Sequence, residues 1–219
     1  MTDLDRRRLL GRVMLAAPAS LAARVAPSAL AALAALTAAD EARANTVAPA
    51  SSNTPSAVPP ELQTHWPGAT PPRLQGQGRL RFLGLSIYDI RLWSQADQRV
   101  SPETWPGQPL ALEIIYRRGL VGRLIAERSI KEMTRAGPLD ATQSERWLRD
   151  MTDWFPDVAD GDRITGLHAP GTDAPARFFH NGQARGTTDD AAFARRFFGI
   201  WLDEKTSEPA LREQLLGLR

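Results

Sequence analysis

A proline-rich stretch over residues 45–72 limits the part of the chain that is able to form a core. It contains seven prolines among many Ser, Thr and Ala residues, and its only large apolar residues are Leu62 and Trp66. Burial of so little apolar surface does not compensate for the conformational entropy that a chain loses when it becomes ordered. An extended linker is therefore predicted here. The sequence therefore predicts an N-terminal segment over residues 1–44, this linker, and one domain over residues 73–219.

The first 44 residues have the order of an export signal. Arg6 and Arg7 precede the apolar pair Leu9-Leu10 by one residue, residues 13–23 are apolar or small, and Ala42-Arg43-Ala44 fits a cleavage site. This order resembles a twin-Arg (Tat) signal peptide, a route used for folded cargo. The sequence therefore predicts export to the periplasm.

A membrane anchor is the alternative for this segment. A spanning helix needs about 20 apolar residues, whereas Arg24 limits the longest uninterrupted run to the 15 residues 25–39. A start at Met14, which would give a shorter signal, is a second alternative. No stable membrane span is predicted once the signal is removed.

Charge and composition exclude several classes of function. Residues 1–44 hold six basic and four acidic residues, so the totals of 27 and 25 leave 21 of each downstream. A neutral remainder lacks the clustered cations that nucleic acids require, so nucleic-acid binding is not predicted. The absence of cysteine excludes disulfides, thiolate metal sites and a thiol nucleophile.

Two strands and two helices are predicted in the first half of the domain. Residues 79–93 are rich in β-branched and aromatic residues, and their alternation changes face at Gly84, as a bulge or bend would require. Residues 109–118 alternate as a simple strand. Helical spacing follows at 119–135, and a capping box at 142–145 is expected to begin a second helix.

The second half is predicted to form a hairpin and then two more helices. Residues 163–168 and 177–180 have the composition of short strands, and Asn181-Gly182 is a strong hairpin signal. Thr188 is expected to cap one helix, and Ser207 a short final helix. This order of elements is typical of an α+β domain, not of alternating βαβ units.

No metal, nucleotide or cofactor site is predicted. Gly76-x-Gly78 precedes a strand, whereas a dinucleotide-binding loop must follow one. The three histidines share no ligand spacing, and Asp157, Asp160 and Asp162 lack the pattern of a calcium loop. The helical aromatic residues are expected to build a packed core rather than line a cavity; they are Trp147, Trp154, Phe193, Phe197 and Trp201.

Four strand residues form the candidate ligand-binding site: Arg79, Arg81, Tyr88 and Tyr116. The two arginines share a side-chain direction in an apolar strand, and a guanidinium beside an apolar cavity is a fixed donor for a carboxylate or phenolate. Tyrosine adds an apolar body with one polar tip. The alternative for the arginines is a solvated edge of the sheet.

An ordered set of short motifs resembles bacterial chalcone isomerase-like domains. The set includes Gly76-x-Gly78-x-Leu80-Arg81-Phe82-x-Gly84-x-x-x-Tyr88-Asp89, Leu112-Glu113-Ile114-x-Tyr116, Glu132-Met133-x-Arg135, Phe155-Pro156-Asp157-Val158, Phe197-Phe198-Gly199-Ile200-Trp201-Leu202 and Ser207-Glu208-Pro209. The resemblance implies an open-faced β-sandwich. In that fold a large, mostly antiparallel sheet carries helices on one face, with a ligand cleft between them.

The resemblance also bears on activity. The plant enzymes of this fold add a phenolate to an unsaturated ketone, with an Arg that stabilises the phenolate and with Tyr and Thr hydroxyls that polarise the ketone. Here Leu83 stands where the Thr is expected, and residues 119–126 contain no Tyr.

Three functions remain open after this comparison of residues. The first, by analogy with plastid relatives of the fold, is an exported, non-catalytic binder of a small apolar or amphipathic ligand such as a fatty acid. The second is an intramolecular lyase with a rearranged active site. The third is a cell-envelope interaction module. The sequence does not predict the oligomeric state.

Overall fold

Six antiparallel strands form one sheet in the order of the sequence. The computed structural model describes residues 57–218, so the predicted export signal and the first part of the predicted linker lie outside it. The sheet order is β1-β2-β3-β4-β5-β6. The strands are β1 (Pro72–Phe82), β2 (Leu85–Gln95), β3 (Leu110–Tyr116), β4 (Arg163–His168), β5 (Ala176–His180) and β6 (Gln183–Thr188).

Most helices of the described chain cover one face of this sheet. The α-helices are α1 (Pro60–His65), α2 (Gly122–Met133), α3 (Ala141–Trp154), α4 (Ala191–Leu202) and α5 (Pro209–Leu216), with single 3₁₀ turns at Trp105–Gly107 and Thr134–Ala136. Helices α2 to α5 share one large hydrophobic core with the strands. The predicted α+β architecture, an antiparallel sheet with helices packed on one face, is confirmed. No helix within residues 57–218 is long and apolar enough to cross a membrane.

The first hairpin differs from its prediction. The stretch expected to be one strand with a bulge at Gly84 is two strands, because Leu83 and Gly84 form a two-residue turn between Phe82 and Leu85. Both turn residues have positive φ, 49° and 83°, which is the geometry of a type I′ turn. Leucine is unusual in that conformation, and no sequence signal for the turn precedes Gly84. The Asn181-Gly182 turn, which was predicted, has the same geometry.

Two helices begin with an aspartate rather than with the predicted threonine. Asp140 accepts a hydrogen bond from the backbone N–H of Gln143 at the start of α3. Asp190 accepts from Ala192 and Phe193 at the start of α4. Each aspartate has the extended backbone that an N-cap needs. The predictions of Thr142 and Thr188 as caps were therefore wrong by two residues.

Helix α5 lies on β1 because that strand lacks side chains where the helix crosses it. A Cβ atom at Gly76 would lie 2.2 Å from the carbonyl oxygen of Leu215, and one at Gly78 would lie 2.4 Å from a methyl carbon of Leu211. These two glycines therefore permit the close approach of a helix backbone to a strand. The C-terminal helix thereby closes the core above the first strands.

The opposite face of the sheet is also covered, by residues that the sequence analysis assigned to the linker. Helix α1 buries Leu62 completely, in a small second core that includes Trp93 and Phe179. The Glu61 carboxylate beside it is buried against β4, where it accepts hydrogen bonds from Arg163 and Thr165. The prediction of an extended linker through residue 72 was wrong for this part, because one buried leucine and one buried ion pair hold it to the sheet.

Candidate functional site

An apolar cavity of about 310 Å³ lies between the sheet and helices α2 and α4. Its volume is at the lower end of the range of small-molecule sites. Its apolar wall combines strand residues with helix and loop residues; they are Leu80, Phe82, Ile87, Ile114 and Ile164 on the strands, and Leu120, Leu124, Ile125, Phe155, Phe197, Ile200 and Trp201 elsewhere. The core is therefore incompletely filled where α2 crosses the first four strands.

A bulge in β2 directs two consecutive side chains into this cavity. Leu80 pairs with Tyr88, but the next residue of β1, Arg81, pairs with Ser86, so Ile87 is an extra residue in β2. An extra residue interrupts the alternation of faces. As a result, Ile87 and Tyr88 both line the cavity, although neighbours in a regular strand point to opposite faces.

Tyr88 and Tyr116 meet inside the cavity, as cross-strand partners on β2 and β3. Their rings contact edge to face, with centroids 6.2 Å apart. The Tyr88 hydroxyl accepts a hydrogen bond from the indole Nε1 of Trp201 at 3.0 Å. The Tyr116 hydroxyl forms no hydrogen bond with any residue in the described range 57–218, so its donor faces the cavity.

Both phenols remain protonated at neutral pH. Burial raises the pKa of Tyr116 above its ordinary value of 10.0, and the neighbouring Tyr88 adds to this shift. Burial also raises the pKa of Tyr88, although the hydrogen bond from Trp201 opposes the shift. These tyrosines are therefore hydrogen-bonding groups here, and neither is a base or a nucleophile at neutral pH.

Six charged side chains line the cavity, three cations and three carboxylates; they are Arg118, Arg128 and Lys131, and Glu127, Glu132 and Glu208. Arg128, Glu132 and Glu208 interact with one another and form the charged end of the cavity. Arg128 and Glu132 lie one turn apart on α2 and form an ion pair through Nη2 and Oε1. The Glu132 side chain is only 8% exposed. Burial, and next the charge of Glu132, raise the pKa of Glu208 above its ordinary value of 4.5, against the opposing charge of Arg128.

The two arginines predicted for the site lie elsewhere. Arg79 and Arg81 alternate with Leu80 and Phe82 on β1, so they point to the opposite face and do not line the cavity. Arg79 is 42% exposed and pairs with Asp89, which also accepts from Arg117. This is the solvated position that the sequence analysis kept as the alternative. The predicted Tyr88 and Tyr116, in contrast, do line the cavity.

Sequence reasoning missed the charged end of the cavity. Ile125, Arg128 and Glu132 lie at i, i+3 and i+7 on α2, so they share one face of the helix. That spacing was the sequence signal from which their common position could have been predicted. Among the five aromatic residues expected to form only the core, Phe197 and Trp201 also line the cavity. The other three are packed core residues or contact the core, as predicted.

No catalytic constellation is evident among the described residues. No histidine of residues 57–218 lines the cavity. The Ser129 hydroxyl donates to the carbonyl of Ile125 and is therefore occupied. No group of three or more His, Asp or Glu side chains within this range is arranged to hold a metal ion.

Two known proteins illustrate what this chain is similar to. The chain is 29% identical, over 131 residues, to an uncharacterized protein of Haemophilus influenzae; the match covers 60% of this chain and spans about three fifths (61%) of the length of that relative. A solved Arabidopsis thaliana fatty-acid binding protein superposes with a TM-score of 0.49 at 15% identity, covering 68% of this chain and 88% of that one.

A family model gives the broader result. The model described as chalcone isomerase-like matches residues 68–217, which include all six strands and helices α2 to α5. The match also includes the bulge, the two cavity tyrosines and the charged cavity end. This protein therefore belongs to the chalcone isomerase-like family.

Proposed function

We propose that this chain is an exported, non-catalytic binder of a small apolar or amphipathic molecule, of which a fatty acid is one example. The observation that carries the proposal is the apolar cavity of about 310 Å³. Native interiors are close-packed, so an apolar void of this size forfeits packing contacts that a ligand would supply. Its two tyrosines and its one charged end would orient a molecule with a polar head.

The absence of catalysis is proposed from the chemistry of the wall. A covalent mechanism needs a nucleophile within hydrogen-bonding reach of a base. Ser129 bonds to the backbone, no histidine of residues 57–218 lines the wall to activate Ser207, and both tyrosines stay protonated. Arg128 is already paired with Glu132, so a bound phenolate would have to compete for it.

Export is proposed from the N-terminal sequence. The order of Arg6-Arg7, an apolar run and small residues before residue 45 is that of a Tat signal. We infer that the protein acts in the periplasm, where it would carry or sequester its ligand. Native mass spectrometry of the chain isolated from the periplasmic fraction tests location, cleavage and ligand together.

The expected result is a chain shortened near residue 44 that carries an extra mass, which denaturation releases and solvent extracts as a lipid. Ile125→Trp should abolish the extra mass, because Ile125 lines the cavity. Ile130→Trp is the matched control, since Ile130 is a partly buried isoleucine of the same helix that does not line it. A clean mass in the wild type would contradict a stably bound ligand.

Intramolecular lyase activity is the second candidate, because one cavity holds two arginines, Arg118 and Arg128, and two tyrosine hydroxyls, and such a reaction uses groups of these kinds. Cyclisation of a chalcone by the wild type, and its loss in Arg128→Gln, would favour this function over simple binding.

A further inference from the structure

The cavity opens at the edge of the sheet, between β1 and α2. Its inner wall is buried, as at Tyr116 and Trp201. The lining residues that solvent reaches lie mainly on β1, which is an edge strand, on the loop before α2 and on α2 itself; they include Phe82, Leu120, Leu124 and Lys131. The entrance therefore lies beside the end of the first hairpin.

Three exposed apolar side chains adjoin this entrance. Leu83 is 80% exposed, Leu85 47% and Val121 39%, and they are three of the four large apolar residues that are exposed within residues 57–218. Leu83 follows the cavity residue Phe82, Leu85 pairs with it, and Val121 follows the cavity residue Leu120. We call these three residues the apolar rim. Exposed apolar residues are ordinary when they are scattered, but a group of them beside a cavity indicates an interaction site.

Leu83 occupies a position where leucine is costly. Its φ of 49° is a conformation that favours glycine or asparagine in a type I′ turn. Because its side chain is 80% exposed, it gains little from the packing of the core. The fold alone therefore gives no reason for leucine at this turn, whereas a contact outside the folded chain would.

Positive charge accompanies the apolar rim. Residues 79–89 and 116–124 carry one carboxylate, Asp89, and five arginines: Arg79, Arg81, Arg117, Arg118 and Arg123. Asp89 pairs with Arg79 and Arg117, and Arg123 pairs with Glu127 of α2. Arg81 and Arg118 have no ion-pair partner among residues 57–218, and the same holds for Lys131 on the α2 side of the entrance. Three cations at the entrance are thus available to anions.

The remaining carboxylates do not cancel these cations. Glu132 and Glu208 belong to the charged end of the cavity, where Arg128 and Arg135 balance them. The loop 156–162, which a β-bridge joins to Leu120, carries three more acids; they are Asp157, Asp160 and Asp162. The surface around the entrance is therefore cationic on the side of the hairpin and acidic on the side of this loop.

We propose that the apolar rim docks on the surface of a membrane that contains anionic lipids, with the hairpin end facing the bilayer and loop 156–162 turned away from it. Apolar side chains at such a surface enter the acyl boundary, while arginines beside them contact lipid phosphates. The cavity entrance then faces the lipid, so an amphipathic ligand passes between bilayer and cavity with little exposure to water. This inference goes beyond the proposed function, because docking requires no ligand in the cavity.

Site-specific fluorescence tests the docking. The chain has no cysteine, so one introduced thiol carries a single environment-sensitive fluorophore. The label is placed by Val121→Cys in the rim and, as the control, by Asp173→Cys in the exposed turn between β4 and β5, at the opposite end of the sheet. The full chain is mixed with vesicles of phosphatidylcholine alone or with an equal part of phosphatidylglycerol.

Emission from position 121 should move to shorter wavelength on the anionic vesicles, and emission from position 173 should stay unchanged. Because the readout is local, binding of the apolar residues 13–39 to a vesicle does not imitate it. An unchanged emission from position 121 would overturn the inference.

Two variants, measured with the label at position 121, identify the groups that dock. Leu83→Asn should weaken binding to anionic vesicles roughly tenfold, although asparagine suits the turn and does not unfold it. Arg81→Gln should weaken the same binding about fivefold and leave binding to phosphatidylcholine unaltered. Leu218→Asn and Arg149→Gln are the matched controls, an exposed leucine and an exposed arginine elsewhere, and should bind as wild type does. Wild-type binding by Leu83→Asn would contradict the docking.

Other occupants of the rim give different results. A label at position 121 that is already shielded without vesicles would show that a second copy or another part of this chain covers the rim, and docking would be wrong. Ile125→Trp fills the cavity and should dock as wild type does. Docking without a bound mass in the native spectrum would keep this inference and contradict the proposed function, whereas a bound mass without docking would do the reverse.

Discussion

Replacement of Glu61 by glutamine tests whether α1 is part of the folded domain. The Glu61 side chain is 0% exposed, and its carboxylate accepts from Arg163 Nε at 3.2 Å, Arg163 Nη2 at 2.9 Å and Thr165 Oγ1 at 2.7 Å. Glutamine has the same shape, but its amide nitrogen would face donors where an acceptor is required. The substitution therefore removes the charge and leaves at least one buried donor unpaired.

The size of the effect follows from the partners that remain. Removal of one member of a buried ion pair costs about 3–5 kcal/mol when the other charge has no compensation. In the variant, Arg163 keeps a second ion pair, with Glu113, in which Arg163 Nε lies 3.6 Å from Glu113 Oε1. The Arg163 side chain is also about a quarter exposed to solvent. We therefore expect Glu61→Gln to lower the free energy of unfolding by about 2–3 kcal/mol.

Urea denaturation at pH 7, followed by circular dichroism, measures this loss. The slope of the transition should stay unchanged, because the folded structure exposes the same surface on unfolding. Glu127→Gln is the matched control, since its ion pair with Arg123 is largely exposed and should contribute only about 0.5 kcal/mol or less. A loss below about 0.5 kcal/mol for Glu61→Gln would refute the packing of α1 on the sheet.

Two further predictions concern backbone and capping. Leu83→Asn should raise the unfolding free energy by about 1 kcal/mol, because Leu83 has a φ of 49° and is 80% exposed, whereas asparagine favours this turn position. The midpoint of thermal unfolding should rise by about 2–4 °C, and a lower midpoint would contradict the turn geometry. The second prediction concerns Asp190, the N-cap of α4. Burial by itself would raise the pKa of the Asp190 carboxyl, but hydrogen bonds from the Phe193 N–H and the Trp147 indole hold that pKa below its ordinary value of 3.8. That stabilisation is present above the unfolded pKa and is lost as the pH falls through the folded value. Asp190→Asn should therefore lower the free energy of unfolding by about 1–2 kcal/mol at pH 7. In urea titrations, the difference in unfolding free energy between this variant and wild type should shrink below about pH 4. A difference that stays constant down to pH 2 would contradict an ionised cap.

Much of the fold follows from local patterns in the sequence. The 3.6-residue period of α3 and α4, the alternation in β3 and the Asn181-Gly182 turn depend on neighbours within a few residues, so each predicted its element. The fold class follows from their order. The errors have local causes too. The turn at Leu83-Gly84 was missed because this pair is not a common turn sequence, and the N-caps were misplaced because more than one residue near the start of each helix has a suitable side chain.

The candidate site was only half predictable for a physical reason. Tyr88 and Tyr116 could be identified because aromatic strand residues with a polar tip suit a cavity, whereas Arg79 was assigned to the wrong face. Arg79 and Arg81 alternate with Leu80 and Phe82 on β1, and the face of β1 that the helices cover depends on packing between distant parts of the chain.

Tertiary packing decided the remaining features. Arg128 and Glu132 line a cavity only because α2 lies over the sheet. Likewise, Leu62 and Glu61 form part of the domain only because β4 presents Arg163 and Thr165 to α1. Sequence alone determined which elements form, since that choice is local. Burial, and with it the chemistry of the cavity, depended on contacts between residues that are distant in the chain.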